Sequence, residues 1–521
     1  HMGVPALATI ETPREVLTAP GGKYSIDEKL RDLLCLTDDL VLHVSASHLG
    51  DPYVLGFMER LGRSKVRYTL QKHPLPEIRE LYANAAAVRP AIAVAKPVGL
   101  IEETTPRQVQ VQRLVKDAMT CGASDIHLTI DKTRHTALVE YRVNGDLVVK
   151  DQIRAEDGQA IASTIYQSMC DVADPTYNDL QPQDARLKQS FVKAWGLYGA
   201  RIATRPTDKG TLMVMRLLRS SAGGSLEELG YLLEQIQLIT RMIQRRKGII
   251  IFSGPTGSGK STTLQRVLSD LLELFEYKIR LLTIENPPEY EIGKGRAIQT
   301  PILCDSDDAE AVSQEWARSI SNTLRLDPDV LMVGEIRDLA TAKAAFTAAM
   351  TGHQLWTTLH ANDLVAIVER LKDLGIEISL LTDPMLMTGL INQELVKTLC
   401  NSCKLPFVQA KAQLPSDLIE RVERFCTPST VYVCGPGCSD CNGTGVRGRT
   451  VVSEVMMPNK GFMKAFREKG KADARAYWVD HMGGITKNAH LIRLMNMGCV
   501  DPLHGERDIC TLDEDEITLR D

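Results

Sequence analysis

No apolar run among the 521 residues reaches the roughly 18 needed to cross a bilayer. No signal peptide is read at the start, where His1-Met2 looks like a cloning scar. The chain is therefore expected to be cytoplasmic, meeting a membrane only through surface contact. Strong charge of one sign is also missing. Lys and Arg number 61 against 66 Asp and Glu, a net charge of -5, and the basic residues are not clustered. This argues against a chain built mainly to coat nucleic acid. No internal repeat is present, so a solenoid or array is excluded. An evenly spaced cysteine framework is lacking too. Six of the twelve cysteines fall between Cys400 and Cys441, which points to metal and away from disulfides. Cys35, Cys121, Cys170 and Cys304 are read as small core residues.

What is present fits a globular protein, with 44% hydrophobic and 24% charged residues. The length exceeds one core and suggests three or four domains. Residues 1–25 are taken as a tag scar and disordered start. Residues 26–84 form a compact first domain, with a strand over Leu40–Val44 and a helix over Pro52–Met58. Residues 85–105, rich in Ala and Pro, read as a linker. A second N-terminal domain spans 106–222. Val111, Leu114, Val115 and Ala118 repeat there at helical spacing, and Asn144-Gly145 marks a hairpin among short strands. From 226 to 521 largely apolar strands (Ile249–Ser253, Leu281–Glu285, Val330–Gly334, Leu355–Leu359) alternate with helices. That rhythm implies a parallel sheet covered on both faces. Asp513–Glu516 onward reads as a frayed acidic tail.

Gly254-Pro-Thr-Gly-Ser-Gly-Lys-Ser261 matches the phosphate-binding loop pattern in full. Its glycines, Gly254, Gly257 and Gly259, let the backbone curl so that N–H groups face phosphate oxygens, with Pro255, Thr256, Ser258 and Thr262 completing the cradle. Lys260 is assigned to the β- and γ-phosphates and Ser261 to Mg²⁺. The helix that follows turns its positive end toward the anion. A buried strand before and a helix after are the context the motif requires. ATP with Mg²⁺ is thus the expected ligand. Carboxylates are needed beside such a loop. Glu335 follows one apolar strand, and Glu285 and Glu289 stand at and just after the end of another. His353 and His360 flank a further strand, where a neutral imidazole can sense the γ-phosphate or bond a carboxylate.

Four segments occur in order: Gly254-Pro-Thr-Gly-Ser-Gly-Lys-Ser-Thr-Thr-Leu264, Thr283-Ile-Glu-Asn-Pro-Pro-Glu289, Arg325-Leu-Asp-Pro-Asp-Val-Leu-Met-Val-Gly-Glu-Ile-Arg-Asp338, and Thr351-Gly-His-Gln-Leu-Trp-Thr-Thr-Leu-His-Ala-Asn-Asp363. The set resembles the secretion ATPase family of type II secretion systems and type IV pili. Ala123-Ser-Asp-Ile-His127, Tyr141-Arg-Val-Asn-Gly145, Gln181-Pro-Gln-Asp-Ala-Arg186 and Arg201-Ile-Ala-Thr-Arg205 resemble the domain that precedes the ATPase core in that family. The resemblance covers at least 105–455. It implies a RecA-like P-loop ATPase core with a preceding α+β (PAS-like) domain, working as a homohexamer. It makes Glu289 the catalytic glutamate of the Asp box, Glu335 the Walker B glutamate, and His353 with His360 the His box. Arg201 and Arg216 become the candidates for arginines brought to the γ-phosphate. Asn286 departs from the family pattern, which usually has Asp there, but the carboxylates of Glu285 and Glu289 remain, so turnover is expected to survive.

Cys400-x-x-Cys403 and Cys438-x-x-Cys441 have the spacing of a four-thiolate Zn²⁺ site within 396–450. Such an insertion occurs in some members of the same family. Cys434 competes as a ligand, and Cys426 is read as buried. By analogy with zinc-finger peptides, binding contributes about 10–16 kcal/mol to folding of that module.

The function implied is a motor that assembles a type IV pilus or a type II secretion pseudopilus at the bacterial inner membrane. It would push or rotate a membrane platform protein, with residues 26–84 as the docking piece. Pilus extension is favoured over retraction, because retraction members of the family lack both the added N-terminal domain and the four cysteines. A nucleic-acid-translocating motor of the same core fold is the rival, and a scaffold that binds ATP without useful hydrolysis is the third reading. No nucleic-acid partner is expected.

Overall fold

The computed structural model describes residues 15–85, 105–171, 176–219, 224–304 and 308–521. They fall into two compact units, one ending at Leu218 and one beginning at Arg219. The linker expected at 85–105 lies almost wholly outside the described residues.

The first unit begins with a small α+β body. Strands Leu34–Leu36, Val41–Ser45 and Thr69–His73 form its sheet, the first pair antiparallel and the second parallel. Helix Pro52–Arg63 covers that sheet. Its start is fixed locally, by Pro at the first turn and by the Asp51 carboxylate, which accepts from the N–H groups of Tyr53 and Val54. Val54, Phe57 and Leu61 on one helical face pack with Leu34, Leu36 and Leu42. Residues 15–25 correct the expectation of a disordered start. Val16 is buried and bridges Thr37, and Thr18 Oγ1 lies 2.7 Å from Tyr82 Oη. Val16 and Ala19 pack with Cys35 and Ile78, and that burial offsets part of the freedom the segment loses.

A second sheet of seven strands completes this unit. Its order is Asp146–Arg154, Thr136–Val143, Asp125–Asp131, Gly210–Arg219, Leu197–Pro206, Gln183–Leu187 and Cys170–Asp171. Asn144 and Gly145 both take positive φ, 53° and 85°, so the hairpin turn read from sequence is present. Helices Pro106–Thr120 and Ala155–Ser168 bury one face of the sheet. Thr105 and Gln108 close the first of them with a reciprocal capping box. The period of 2 then turns Arg201, between buried Ala200 and Ile202, and Arg216, between buried Met215 and Leu217, to the other face.

The second unit is built on another seven-stranded sheet, ordered Ile298–Pro301, Leu281–Glu285, Val330–Val333, Gln354–Leu359, Gly248–Ser253, Met387–Leu399 and Val446–Met456. Six strands are parallel, and the last runs antiparallel to its neighbour. The largely apolar central strands are buried on both faces, as their composition requires. The two long strands, 387–399 and 446–456, were not read from sequence. They carry buried polar residues, Asn392, Gln393, Ser453 and Glu454, that break the apolar pattern.

Two further expectations are corrected here. The acidic end is a short helix, Glu514–Leu519, held by Thr486 Oγ1 to Asp515 Oδ2 and by Arg424 to Glu516 at 2.6 Å. Cys304, expected in the core, is exposed beyond the edge strand Ile298–Pro301, and Cys426 is only half-buried.

His490 is fully buried on helix Lys487–Asn496. Its Nδ1 accepts from Ser453 N at 3.1 Å. Burial pushes its pKa down to about 4. Protonation would break that bond and leave a charge in the core. The unfolded chain, near 6.5, binds the proton more readily between these values. This contribution to stability is therefore complete above about pH 6.5 and is lost as pH falls toward 4, by up to roughly 3 kcal/mol. Melting temperatures measured from pH 7 to 5 should fall for the native chain and fall less for His490→Gln, whose amide still accepts from Ser453. An equal fall in both would remove His490 as the cause.

Candidate nucleotide site and cysteine cluster

Strand Gly248–Ser253 ends at Gly254, and helix Lys260–Leu274 begins six residues later. Gly254 has φ of +156°, and a Cβ there would lie 2.4 Å from Gln393 O, so only glycine fits. Gly257 and Gly259 also have positive φ, at 80° and 77°. The loop is gripped from the next strand. Gln393 Nε2 donates to Ser258 O at 2.8 Å, and the buried Tyr231 hydroxyl holds Gln393 Oε1. Asn392 Nδ2 donates to Ser253 Oγ at 2.7 Å. None of Tyr231, Asn392 and Gln393 was read as a site residue. The one sequence signal for Asn392 and Gln393 is a polar pair directly after the apolar Leu390-Ile391. Pro255, Thr256 and Ser261 are exposed, so the mouth of the loop is open.

A chain of polar contacts runs from the loop. Lys260 Nζ donates to Gly254 O at 3.0 Å and lies 3.1 Å from His360 Nδ1. His360 Nε2 lies 2.8 Å from Glu335 Oε1, and Arg337 Nε donates to Glu335 Oε2 at 2.7 Å. The network is satisfied when His360 is neutral, with its proton on Nε2. Burial holds the Lys260 pKa below its ordinary value, and the Glu335 carboxylate opposes that shift. Glu335 is placed by its backbone neighbours. Gly334 N donates to Ile284 O at 2.8 Å, and Ile336 N to Thr358 O at 3.0 Å.

Glu285 closes the far side. Burial raises its pKa, with the Glu289 charge adding to the rise, while hydrogen bonds from Gln299 and Thr283 oppose it. The segment bearing Glu289 is tied to the loop helix at two points. Thr262 Oγ1 donates to Tyr290 Oη at 3.4 Å, and Gln265 Nε2 to Glu291 O at 2.8 Å. Asn286 is exposed.

Lys260, His360, Glu335, Glu285 and Glu289 are thus brought together at the carboxyl ends of parallel strands, where open α/β sheets place their ligands. His353 is not. It precedes strand Gln354–Leu359 and lies at the amino end of the sheet, its Nδ1 donating to Ala348 O at 3.0 Å. Seven steps of extended chain carry it away from His360, roughly 23 Å. Pairing the two histidines in one site of one chain is therefore corrected: an extended strand carries its two ends apart. Arg201 and Arg216 stand on the first unit, where Arg216 Nε donates to Asp125 Oδ1 at 3.2 Å and its side chain is half exposed.

The four cysteines converge because antiparallel strands 387–399 and 446–456 bring Leu399 opposite Val446. Sγ separations are 3.6 Å for Cys400–Cys438, 3.8 Å for Cys403–Cys441 and 3.7 Å for Cys438–Cys441. A tetrahedral zinc with Zn–S bonds near 2.3 Å needs S···S edges of about 3.8 Å. The thiols fit that ion. Among the described residues no other group meets the geometry of a metal site. Cys434 is outside the set, its thiol directed at the carbonyls of Gly435 and Thr444.

A strand, a glycine-rich turn, a helix amino end and convergent Lys, His and Glu make the candidate site of an α/β protein. Residues 101–489 match the profile of the family described as Type II/IV secretion system protein, and the chain belongs to that family. It is similar to the Type II secretion system ATPase E of Vibrio cholerae, with 36% identity over 359 residues, 68% of this chain and 66% of that protein. Type II secretion system protein E of Aeromonas hydrophila is 33% identical over 387 residues, 73% of this chain and 71% of that protein. The chain spans about two thirds of the length of such relatives. Among solved structures, the Legionella pneumophila ATPase DotB is similar in fold, with a TM-score of 0.54 and 18% identity, covering 79% of this chain and 97% of that one. Among the described residues, no helix is long and apolar enough to cross a membrane.

Proposed function

We propose that this chain is an ATP-hydrolysing motor that powers assembly of a type IV pilus or a type II secretion pseudopilus. The observation that carries this reading is the contact chain Lys260–His360–Glu335 beside the glycine loop. It sets a phosphate-binding cation against a carboxylate through an imidazole that can respond to charge on a phosphate. The backbone N–H groups of Gly254–Lys260 would cradle the phosphates, and Ser261 with Glu335 would hold Mg²⁺, which neutralises charge on phosphate oxygens when bound. Glu289 orients the attacking water and takes its proton. Glu285, its carboxyl kept up by burial, supports Glu289 from the strand end.

The core is read as RecA-like and the preceding domain, 106–222, as PAS-like. In this reading Arg201 and Arg216 reach a γ-phosphate when that domain closes on a core within a homohexamer. Hydrolysis then becomes motion. Residues 26–84 dock the ring, at the cytoplasmic face of the bacterial inner membrane, on a platform protein of the pilus machinery. Membership of the secretion family and the names of the relatives support this reading.

The test is phosphate release by the purified chain at low and moderate salt, with and without DNA, beside its mass by light scattering. The expected result is ATP turnover, six chains per particle with nucleotide, and no response to DNA. A salt-sensitive rise with DNA would replace the secretion motor by a nucleic-acid motor.

A further inference from the structure

His360 stands at the start of a loop whose local bonds, Ala366 N to Asp363 Oδ1 at 2.9 Å among them, are joined by contacts from more distant parts of the chain. Each of the next four residues is gripped by a group from elsewhere in the second unit. Asn392 Nδ2 donates to Ala361 O at 3.1 Å, and Lys487 Nζ donates to Asn362 O at 2.8 Å. The Asp363 carboxylate pairs with Lys471 Nζ at 2.8 Å. Leu364 N donates to Glu454 Oε1 at 3.1 Å.

Glu454 is the centre of this arrangement. It is fully buried on strand Val446–Met456. Arg475 grips both its oxygens, at 2.9 and 2.6 Å, and Lys487 N donates to Oε2 at 2.9 Å. Lys487 Nζ also pairs with Glu394 at 2.6 Å. Burial alone would push the Glu454 pKa up, but Arg475 and Lys487 outweigh it and hold it down at about 2. Glu454 is therefore charged at any working pH. A buried ion cluster contributes little net stability, because desolvation cancels most of the attraction. What it does supply is direction, since its donors are aimed at fixed acceptors, Lys487 Nζ at both Asn362 O and Glu394 Oε2.

We propose that Glu454, Arg475 and Lys487 are positioning residues for His360, clamping residues 361–364 so that both imidazole nitrogens meet Lys260 and Glu335. Arg475 and Lys487 come from helices Lys471–Met482 and Lys487–Asn496. The C-terminal helices are thereby part of the hydrolytic machinery, and a shift in them reaches the loop lysine through one imidazole. The proposal rests on the reading of His360 as a member of the ATP site.

The experiment compares kcat for phosphate release, and Kd for a fluorescent ATP analogue, in the full chain. The variants are His360→Ala, Lys487→Met, the pair combined, Lys487→Arg and Lys471→Ala. Lys487→Met should lower kcat by about 10- to 100-fold, as a misplaced catalytic group does, with the Kd hardly changed. Added to His360→Ala it should cause no further loss, because both changes remove the same contact. Lys487→Arg should restore part of the rate. Lys471 is part exposed, so Lys471→Ala should keep the fold and give a smaller loss in the same direction, even where Lys487→Met does not fold. Independent, multiplying losses in the double variant, or full kcat in both Lys487→Met and Lys471→Ala, would overturn the proposal. Full kcat in His360→Ala would instead overturn the reading of His360 itself.

Discussion

Replacing Lys260 by Ala is expected to lower ATP turnover by about 1,000-fold, the scale at which a fixed charge facing transition-state oxygens acts. Nζ sits between Gly254 O and His360 Nδ1, at the mouth of the loop. Its stem is partly buried, so Lys260→Met is the better control for packing. That variant should match Ala in rate and the native chain in melting temperature. Glu335→Gln separates binding from chemistry. The amide oxygen can still accept from His360 Nε2, only the bond from Arg337 Nε is given up, and nucleotide should still bind. The negative charge is lost, and turnover should fall with it. Three equal phosphate-release rates would make the protein a nucleotide-gated scaffold and end the motor reading.

Stripping metal from the cysteine cluster is expected to have the largest effect on stability. One zinc per chain should be found after purification, and less than about half an equivalent would end the zinc assignment. Cys438→Ser leaves three thiolates, and a closed structural site tolerates that poorly. The melting temperature should drop by roughly 10 °C or more, with new protease cuts between 400 and 445. Cys434→Ser is the matched control. Its sulfur lies outside the four-thiol set, so zinc content should stay at one. A loss of zinc there would make Cys434 a ligand. The site also has a structural consequence at a distance. Cys400 directly follows the strand that carries Asn392 and Gln393 to the glycine loop. Frayed metal-free protein should therefore also bind nucleotide less tightly.

Legibility followed the distance over which each feature is encoded. The glycine loop could be read because eight consecutive residues carry the whole device: φ preference, charge and helix start are all local. The same holds for the Asn144-Gly145 hairpin and for the two Cys-x-x-Cys pairs, where spacing alone brings thiols near each other. Glu335 and Glu289 could be placed because apolar strands announce where they end. Strands 387–399 and 446–456 escaped notice because their value lies in partners far along the chain. Gln393 grips Ser258, and Glu454 grips Leu364 and Arg475. Within one segment these residues look only like polar interruptions of an apolar run.

The two histidines draw the line most plainly. Sequence alone determined that both flank one buried strand beside a phosphate loop. Only the tertiary structure decided that His360 meets Lys260 and Glu335 while His353 faces the opposite end of the sheet. The reason is physical. A strand translates its residues by about 3.3 Å each, and parallel packing aligns all carboxyl ends on one edge. A motif whose two histidines stand seven positions apart therefore has two ends that no single site can share.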